Sequence, residues 1–338
     1  MTHSGFVAII GRPNAGKSTL LNRVLGSKVS IVTPKAQTTR ERVLGILTEE
    51  EKGQIVFIDT PGIHRAKEGG INQFMVEEAR GALEAPNVVW YLVDPSSAVE
   101  HEKAVLEILE RSGKGLKVFV LLNKTDVVKR PDFVEHFAAL ETGMKAELEK
   151  IGITDVRFFK LSGRYGEGVE ELLAETWKEI PEGPMYYPDP DQISDRPVRY
   201  FVAEKIRQQL LMHLGEEVPY SCAVEIEKYQ DPREPGDIPR IEAVIHVERD
   251  SQKGMVIGKG GSKIKEIGQA ARKEIEAFVG SQVFLGLKVN VLKDWSKDAE
   301  ALKRMGYALP ESPAGSRTKG KGAPKGRGEP ARTRGGRK

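Results

Sequence analysis

A single cysteine in 338 residues, Cys222, leaves nothing to form a disulfide within the chain, which fits a reducing compartment. It lies in "CAVEIE", where Val224 and Ile226 share one side of an alternating segment, so core packing rather than reactivity is its expected role. No apolar run approaches the roughly 20 residues that span a bilayer. The longest, "VVWYLV" at 88–93 and "VFVLL" at 118–122, have the length of strands. The opening "MTHSGFVAIIG" lacks the basic region, long apolar region and cleavage site of a secretory leader, so a cytoplasmic protein is expected. Positive charge is also scarce over most of the chain. Residues 311–338 carry nine Lys or Arg against two Glu, a net +7, which leaves −4 for residues 1–310 within a total of +3. Attraction to polyanions over the whole surface is excluded, and any nucleic-acid contact must be local.

The composition, 39% apolar and 30% charged, is that of a soluble globular protein, and the length suits two domains and a tail. From residue 5 to about 180, short apolar runs alternate with amphipathic helical patterns: "FVAIIG", "QIVFIDT", "NVVWYLVD", "KVFVLLNK" and "VRFFKLS" are buried-strand candidates, and "RVLGILTE" reads as an extra antiparallel strand. Runs this apolar belong in a parallel sheet covered on both faces, a three-layer α/β domain over 1–180. Five prolines in "PEGPMYYPDPDQISDRP" make 181–197 an extended, rather stiff linker. A second, α+β domain over 198–310 follows. Its pattern is a helix near 196–214, two alternating strands, and a helix whose apolar face is Ile264, Ile267, Ala271, Ile275 and Phe278. A strand alternating from Val283 to Val291 and a short helix near 296–305 complete it. Residues 311–338, rich in Gly, Pro, Ser and cations, cannot offset their ordering entropy and are expected to be a disordered basic tail.

"GRPNAGKS" fits the phosphate-binding loop G-x-x-x-x-G-K-[ST], between an apolar strand and the helical "STLLNRVLG". Gly11 and Gly16 allow close backbone approach, so that Gly11, Arg12, Pro13, Asn14, Ala15 and Gly16 wrap a phosphate. Lys17 would reach the outer phosphates, Ser18 would offer a hydroxyl to Mg²⁺, and Thr19 follows on the helix. "DTPG", Asp59, Thr60, Pro61 and Gly62, closes a second strand, where Asp59 is placed to hold Mg²⁺ and Gly62 to offer its N–H to a γ-phosphate. "NKTD", Asn123, Lys124, Thr125 and Asp126, closes a third. A carboxylate there accepts from guanine's ring N–H and exocyclic amine, a pattern adenine lacks. Ser162 and Gly163 of "LSG" end the last strand and would support the base.

These motifs resemble those of the translation-factor-related P-loop GTPases over the first 180 residues. The resemblance implies Mg²⁺-dependent hydrolysis of GTP to GDP and phosphate, and a switch I threonine on Mg²⁺ and the γ-phosphate. That residue falls in "KAQTTRERV", as Thr38 or Thr39. Catalysis would then rest on Lys17, Gly62 and that threonine. Two departures stand out: Ser162 is followed by Gly163 where the family usually has alanine, and Ile63 stands where small signalling GTPases carry a water-orienting glutamine. An aliphatic side chain orients no water, so hydrolysis is expected to be slow. In relatives with the same "PNAGKS" loop the asparagine helps hold K⁺, which makes Asn14 the K⁺ ligand and turnover K⁺-stimulated by that resemblance.

"VIGKGGSKIKEI" matches V-I-G-x-x-G-x-x-I-x-x-I, the core of the KH domain, in a type II order of helix, strand, strand, helix, helix, strand. Gly258, Gly260 and Gly261 let the backbone press against RNA, while Lys259 and Lys263 add charge and Val256 and Ile257 are expected to floor the groove. Single-stranded RNA is the natural ligand. A switch GTPase joined to a C-terminal KH domain resembles the bacterial Era family over about 5–310, with "PYSCAVEIE" and "WSKDAEALKRMGYAL" matching as well. That likeness implies binding of the 3′ end of small-subunit (16S) rRNA, a role in assembly of the 30S ribosomal subunit, and a peripheral association with the inner membrane, for which the sequence shows no element. The protein is expected to be monomeric. A non-enzymatic RNA adaptor with a degenerate nucleotide site is a rival class, opposed by the intact Lys17, Ser18, Asp59 and Asp126; a P-loop ATPase, or a GTPase acting on tRNA, is another.

Overall fold

Strand β1 (His3–Gly11) buries residues on both faces and so becomes the centre of a covered sheet. The computed structural model describes residues 2–307 apart from 65–68, 114, 128–132, 233 and 235; the basic tail lies outside the described residues. After β1 come α1 (Lys17–Leu25), β2 (Val43–Glu49), β3 (Gly53–Asp59), α2 (Gly70–Gly81), β4 (Val88–Val93), α3 (Lys103–Ser112), β5 (Val118–Leu122), α4 (Phe133–Lys150), β6 (Val156–Lys160) and α5 (Val169–Trp177). The sheet order is β2-β3-β1-β4-β5-β6, with β2 alone antiparallel to its neighbour. Alternation divides the core: Ala8, Ile10, Tyr91 and Val120 face α2, α3 and α4, whereas Ile9, Trp90 and Leu121 face α1 and α5. All five parallel strands point their C-terminal ends at one edge, where such sheets bind ligands.

Residues 181–197 form no helix or strand, but they are fastened. Ser4 N donates to Pro181 O at 3.0 Å, Gly183 N to Thr2 O at 3.0 Å, and Ile46 N to Ile193 O at 2.9 Å. Ser194 Oγ donates to Leu44 O at 2.6 Å.

Beyond them lie α6 (Val198–His213), β7 (Ala223–Gln230), β8 (Arg240–Val247), α7 (Asp250–Ile257), α8 (Ser262–Val279), β9 (Phe284–Val291) and α9 (Ala299–Arg304). The strands run β7-β8-β9, antiparallel then parallel, so β8 and β9 need the α7–α8 crossover between them. Val202, Ile206 and Leu210 of α6 join Ile267, Ala271 and Ile275 of α8 over Ile241, Ala243 and Ile245, with Cys222 fully buried beside them. Burial pushes the Cys222 thiol up to about 12, which suits an inert core residue. Two further apolar clusters span the first and second sheets' domains: Phe74 and Met75 with Trp295, Leu302 and Tyr307, and Val29 and Val43 with Phe201.

Candidate functional site: a phosphate loop beside a glycine-looped second domain

Residues between Gly11, the end of β1, and Lys17, the start of α1, arch over the C-terminal edge of the sheet. Gly16 caps α1 in the left-handed region with φ 99° and no side chain caps it, so first-turn N–H groups remain for an anion. Lys17 is 6% exposed, its Nζ 3.1 Å from Gly11 O and 3.0 Å from Arg12 O. Burial lowers its pKa to about 8, against the opposing pull of Asp59 and Glu102. Arg12 turns away, its guanidinium 3.7 Å from Glu102.

Ser18 Oγ donates to Asp59 Oδ2 at 2.7 Å and lies 3.0 Å from Thr39 Oγ1. Asp59 is fully buried at the tip of β3, and its Oδ1 has no hydrogen-bond partner. Burial raises its pKa, opposed first by Lys17 and then by the Ser18 hydroxyl. Two hydroxyls and a carboxylate with an orphaned oxygen are the hard donor set a Mg²⁺ ion takes. Thr38, the other candidate, points its hydroxyl elsewhere, 2.7 Å from Lys35 O and 2.7 Å from Thr33 Oγ1. Of the two threonines, Thr39 is the one that reaches this cluster.

Gly62 presses the loop after β3 against the phosphate loop: a Cβ there would lie 2.6 Å from Pro13 Cα, so only glycine fits. Ile63 is buried in the first core, its N–H donating to Gly11 O at 3.0 Å. Thr60, expected among the contact residues, is fully buried and gives its hydroxyl to Ile9 O at 2.7 Å, so it braces β1 instead. Pro61 and Ala15 are buried too. Asn14 has φ 62°, and its Nδ2 donates to Pro34 O at 3.1 Å, tying the loop to the segment before Thr38.

At the β5 tip, Asn123 is 2% exposed; its Nδ2 donates to Ala15 O at 2.8 Å and its Oδ1 accepts from Gly163 N at 2.8 Å. It locks the phosphate loop to the loop after β6, and both ends of its amide are engaged there. Thr125 N donates to Leu161 O at 3.3 Å, and Lys124 pairs with Asp94 at 2.7 Å. Ser162 Oγ donates to Asp126 Oδ1 at 2.6 Å and aims that carboxylate. A Cβ on Gly163 would sit 3.3 Å from Asn123 Oδ1 and 3.3 Å from Leu20 Cβ, so the alanine usual here would fit only with a small shift of those neighbours.

These residues enclose a cleft of about 600 Å³ lined by Pro13, Asn14, Gly16, Lys17, Ser18, Thr19, residues 31–34 and 37–39, Gly62, Lys124 and Arg164. Its remaining wall is Gln208 and Met212 of α6. Sequence patterns give no hint of this wall, since neither residue belongs to a motif. A neighbouring hollow of about 330 Å³ shares Thr19, Val32 and Arg164 and adds Gly163; Asp126 does not line it, but is bonded to Ser162, the residue before Gly163.

In the second domain, α7 ends at Ile257 and α8 begins at Ser262, with Gly258, Gly260 and Gly261 at φ 72°, 58° and 80° between them. Lys259 is exposed at the turn, and Lys263 is 2.7 Å from Glu266. The 18-residue α8 starts on Gly261 without a side-chain cap. Val256, expected in the groove floor, is fully buried in the second core and supports the loop from beneath; Ile257 is half-buried, and Met255 is 54% exposed beside it.

The fold and the two sites define a P-loop GTPase domain joined to a KH domain. Residues 6–124 match the family model described as 50S ribosome-binding GTPase, and residues 217–296 match that of the KH domain. The chain is 43% identical over 305 residues to GTPase Era of Geobacter metallireducens, covering 90% of this chain and 97% of that one. It is 40% identical over 307 residues to GTPase Era of Staphylococcus haemolyticus, with 90% and 97% covered. A crystal structure of Era with MgGDPNP and nucleotides 1506–1542 of 16S ribosomal RNA superposes with a TM-score of 0.83 at 36% identity, covering 91% of this chain and all of that one. A tyrosine-to-alanine variant of Aquifex aeolicus Era bound to GDP·AlF4⁻ gives 0.82 at 36% identity, with the same coverage of 91% and 100%. The chain belongs to the GTPase Era family, and it is a GTPase with an RNA-binding KH domain.

Proposed function

We propose that the protein is a GTP-driven switch that binds the 3′ end of 16S rRNA through its KH domain and acts in maturation of the 30S subunit. The observation that carries this reading is the meeting of Ser18, Thr39 and Asp59, because Thr39 belongs to the segment that also touches the second domain. Ser18, Thr39 and Asp59 would hold Mg²⁺, which supplies positive charge to the transferring phosphoryl group. Lys17 adds a fixed cation, the first turn of α1 and the Gly62 N–H donate to phosphate oxygens, and Asp126 selects guanine. This site would hold GTP or GDP, and switch I would follow which of them is bound. The solved Era complexes with MgGDPNP and with GDP·AlF4⁻ support that assignment.

The RNA assignment draws on the Era complex with nucleotides 1506–1542 and on the positive-φ loop beside Lys259. On this reading the protein would work in the cytoplasm, on RNA. The matching family model names the 50S particle instead, so both subunits belong in the test. With GTP analogue present, the protein is expected to retain a 16S 3′-terminal oligonucleotide at least about tenfold better than a 23S-derived one, with a crosslink at Lys259. Equal retention of the two oligonucleotides would refute the subunit assignment.

Asn14 is proposed to ligate K⁺: Nδ2 is committed to Pro34 O, which leaves Oδ1 for a cation beside the phosphates. Ile63 lies in the core and offers nothing to orient water, so a cation at Asn14 would add to the charge of Lys17 and Mg²⁺. Turnover in K⁺ is expected to exceed that in Na⁺ by about tenfold at matched ionic strength, and Asn14→Ala to abolish the difference. Identical rates in the two salts would remove this role.

A further inference from the structure

We infer that Arg207, a residue of the second domain, is a positioning residue for GTP hydrolysis, acting through the Thr38 carbonyl to hold Thr39 at the phosphate site. Arg207 is on α6 and is only 2% exposed. Its Nε donates to Glu204 Oε1 at 2.7 Å, and its Nη2 donates both to Glu204 Oε2 and to Thr38 O. Glu204, one turn earlier on the same helix, therefore fixes the fork before it meets switch I. The next residue along, Thr39, has its hydroxyl 3.0 Å from Ser18 Oγ. One peptide unit thus joins an arginine of the KH core to the phosphate site.

Other contacts show that the second domain shapes this segment from outside. Gln208 Nε2 donates to Val32 O at 3.3 Å, and Lys35 Nζ donates to Leu214 O. Arg40, 3% exposed, donates to Cys222 O and Tyr220 O at 2.7 Å each. Switch I is consequently ordered in large part by the neighbouring domain. A buried ion pair is weak grounds for a stabilising role, and Arg207 directs its fork out of its own helix to the Thr38 carbonyl, while its Nη1 is buried without a protein partner. α6 also packs on α8, the helix that follows the glycine loop, so Arg207 and the glycine loop are linked through one pair of packed helices. In this arrangement the KH domain does not merely receive a signal; it supplies part of the hydrolytic geometry.

The inference rests on Thr39 being the switch I ligand proposed above, and the test separates the two. In the full chain, Arg207→Ala is expected to lower kcat by about 10- to 100-fold, the range of a hydrogen bond to a charged group. Affinity for GDP should stay within about twofold, while the ratio of GTP-analogue to GDP affinity falls about tenfold. Arg207→Lys, which keeps charge but loses the fork, should recover only part of the rate. A purely structural role would instead lower the thermal midpoint and weaken both nucleotides equally. Thr39→Ala, run alongside, must lower the same ratio; if it does and Arg207→Ala does not, the Arg207 role is overturned, and if Thr39→Ala leaves it unaltered, the reading of switch I fails first. Should Arg207→Ala not fold, Glu204→Gln, which frees the fork while leaving the guanidinium in place, must lower the ratio at least about threefold. No change in that variant also overturns the inference.

Discussion

Lys17→Ala is expected to reduce kcat/KM for GTP by about 10²- to 10³-fold, because it removes the ammonium group buried under the phosphate loop. The same lysine sets a pH signature in the unaltered protein. In the free state burial holds its pKa to about 8. A polyphosphate restores favourable surroundings for the charged form, so its pKa in the complex lies higher. Below pH 8 Lys17 is charged in both states, and affinity contributes no slope. Above 8 the free protein must take up a proton to bind, so affinity falls by up to about tenfold per pH unit until the pKa of the complex is reached. Titrating GDP·Mg²⁺ binding between pH 7 and 9 checks this, and the slope should vanish in Lys17→Ala. An alanine variant that still hydrolyses GTP within tenfold of the original would end the assignment.

The second large effect is one of specificity. Asp126→Asn should weaken GTP binding by about 10³-fold or more and turn preference toward xanthosine triphosphate. The Asp126 carboxylate is held by Ser162 with its acceptor oxygens oriented, and guanine offers two donors to match. Asparagine replaces one acceptor with a donor, which opposes guanine's exocyclic amine but meets the carbonyl that xanthine carries in its place. Competition by GTP, ATP and xanthosine triphosphate against a fluorescent nucleotide reads the outcome. ATP competing as well as GTP in the unaltered protein would show that the base is not read by Asp126 at all.

Much of this arrangement is legible in the sequence because phosphate binding is a local problem. A strand, a glycine-bearing loop and a helix N-terminus must follow one another directly, and β1, Gly11 to Gly16 and α1 do so. The buried strands are equally plain, since "VVWYLV" can lie only between two layers of helices. What escapes is everything that depends on distant chain. Adjacent hydroxyls on Thr38 and Thr39 are indistinguishable until the backbone turn between Lys35 and Thr39 decides which one meets Ser18. Val256 sits in an apolar run that suits a groove floor, yet its face of α7 is set by β8 and α8 and points inward. Gln208 and Met212 occupy ordinary helix positions, and only folding brings them to the nucleotide cleft. Asn123 shows the reverse case: its motif is evident, but its work is to bolt two loops together.

The fastening of residues 181–194 along the first sheet leaves only residues 195–197 before α6 begins at Val198. Three residues reach about 10 Å when fully stretched. A KH module that lets go of switch I therefore remains on a very short leash, at an effective concentration in the millimolar range or above. Re-engagement is a unimolecular event governed by rotation at one hinge, so its rate should be indifferent to protein concentration.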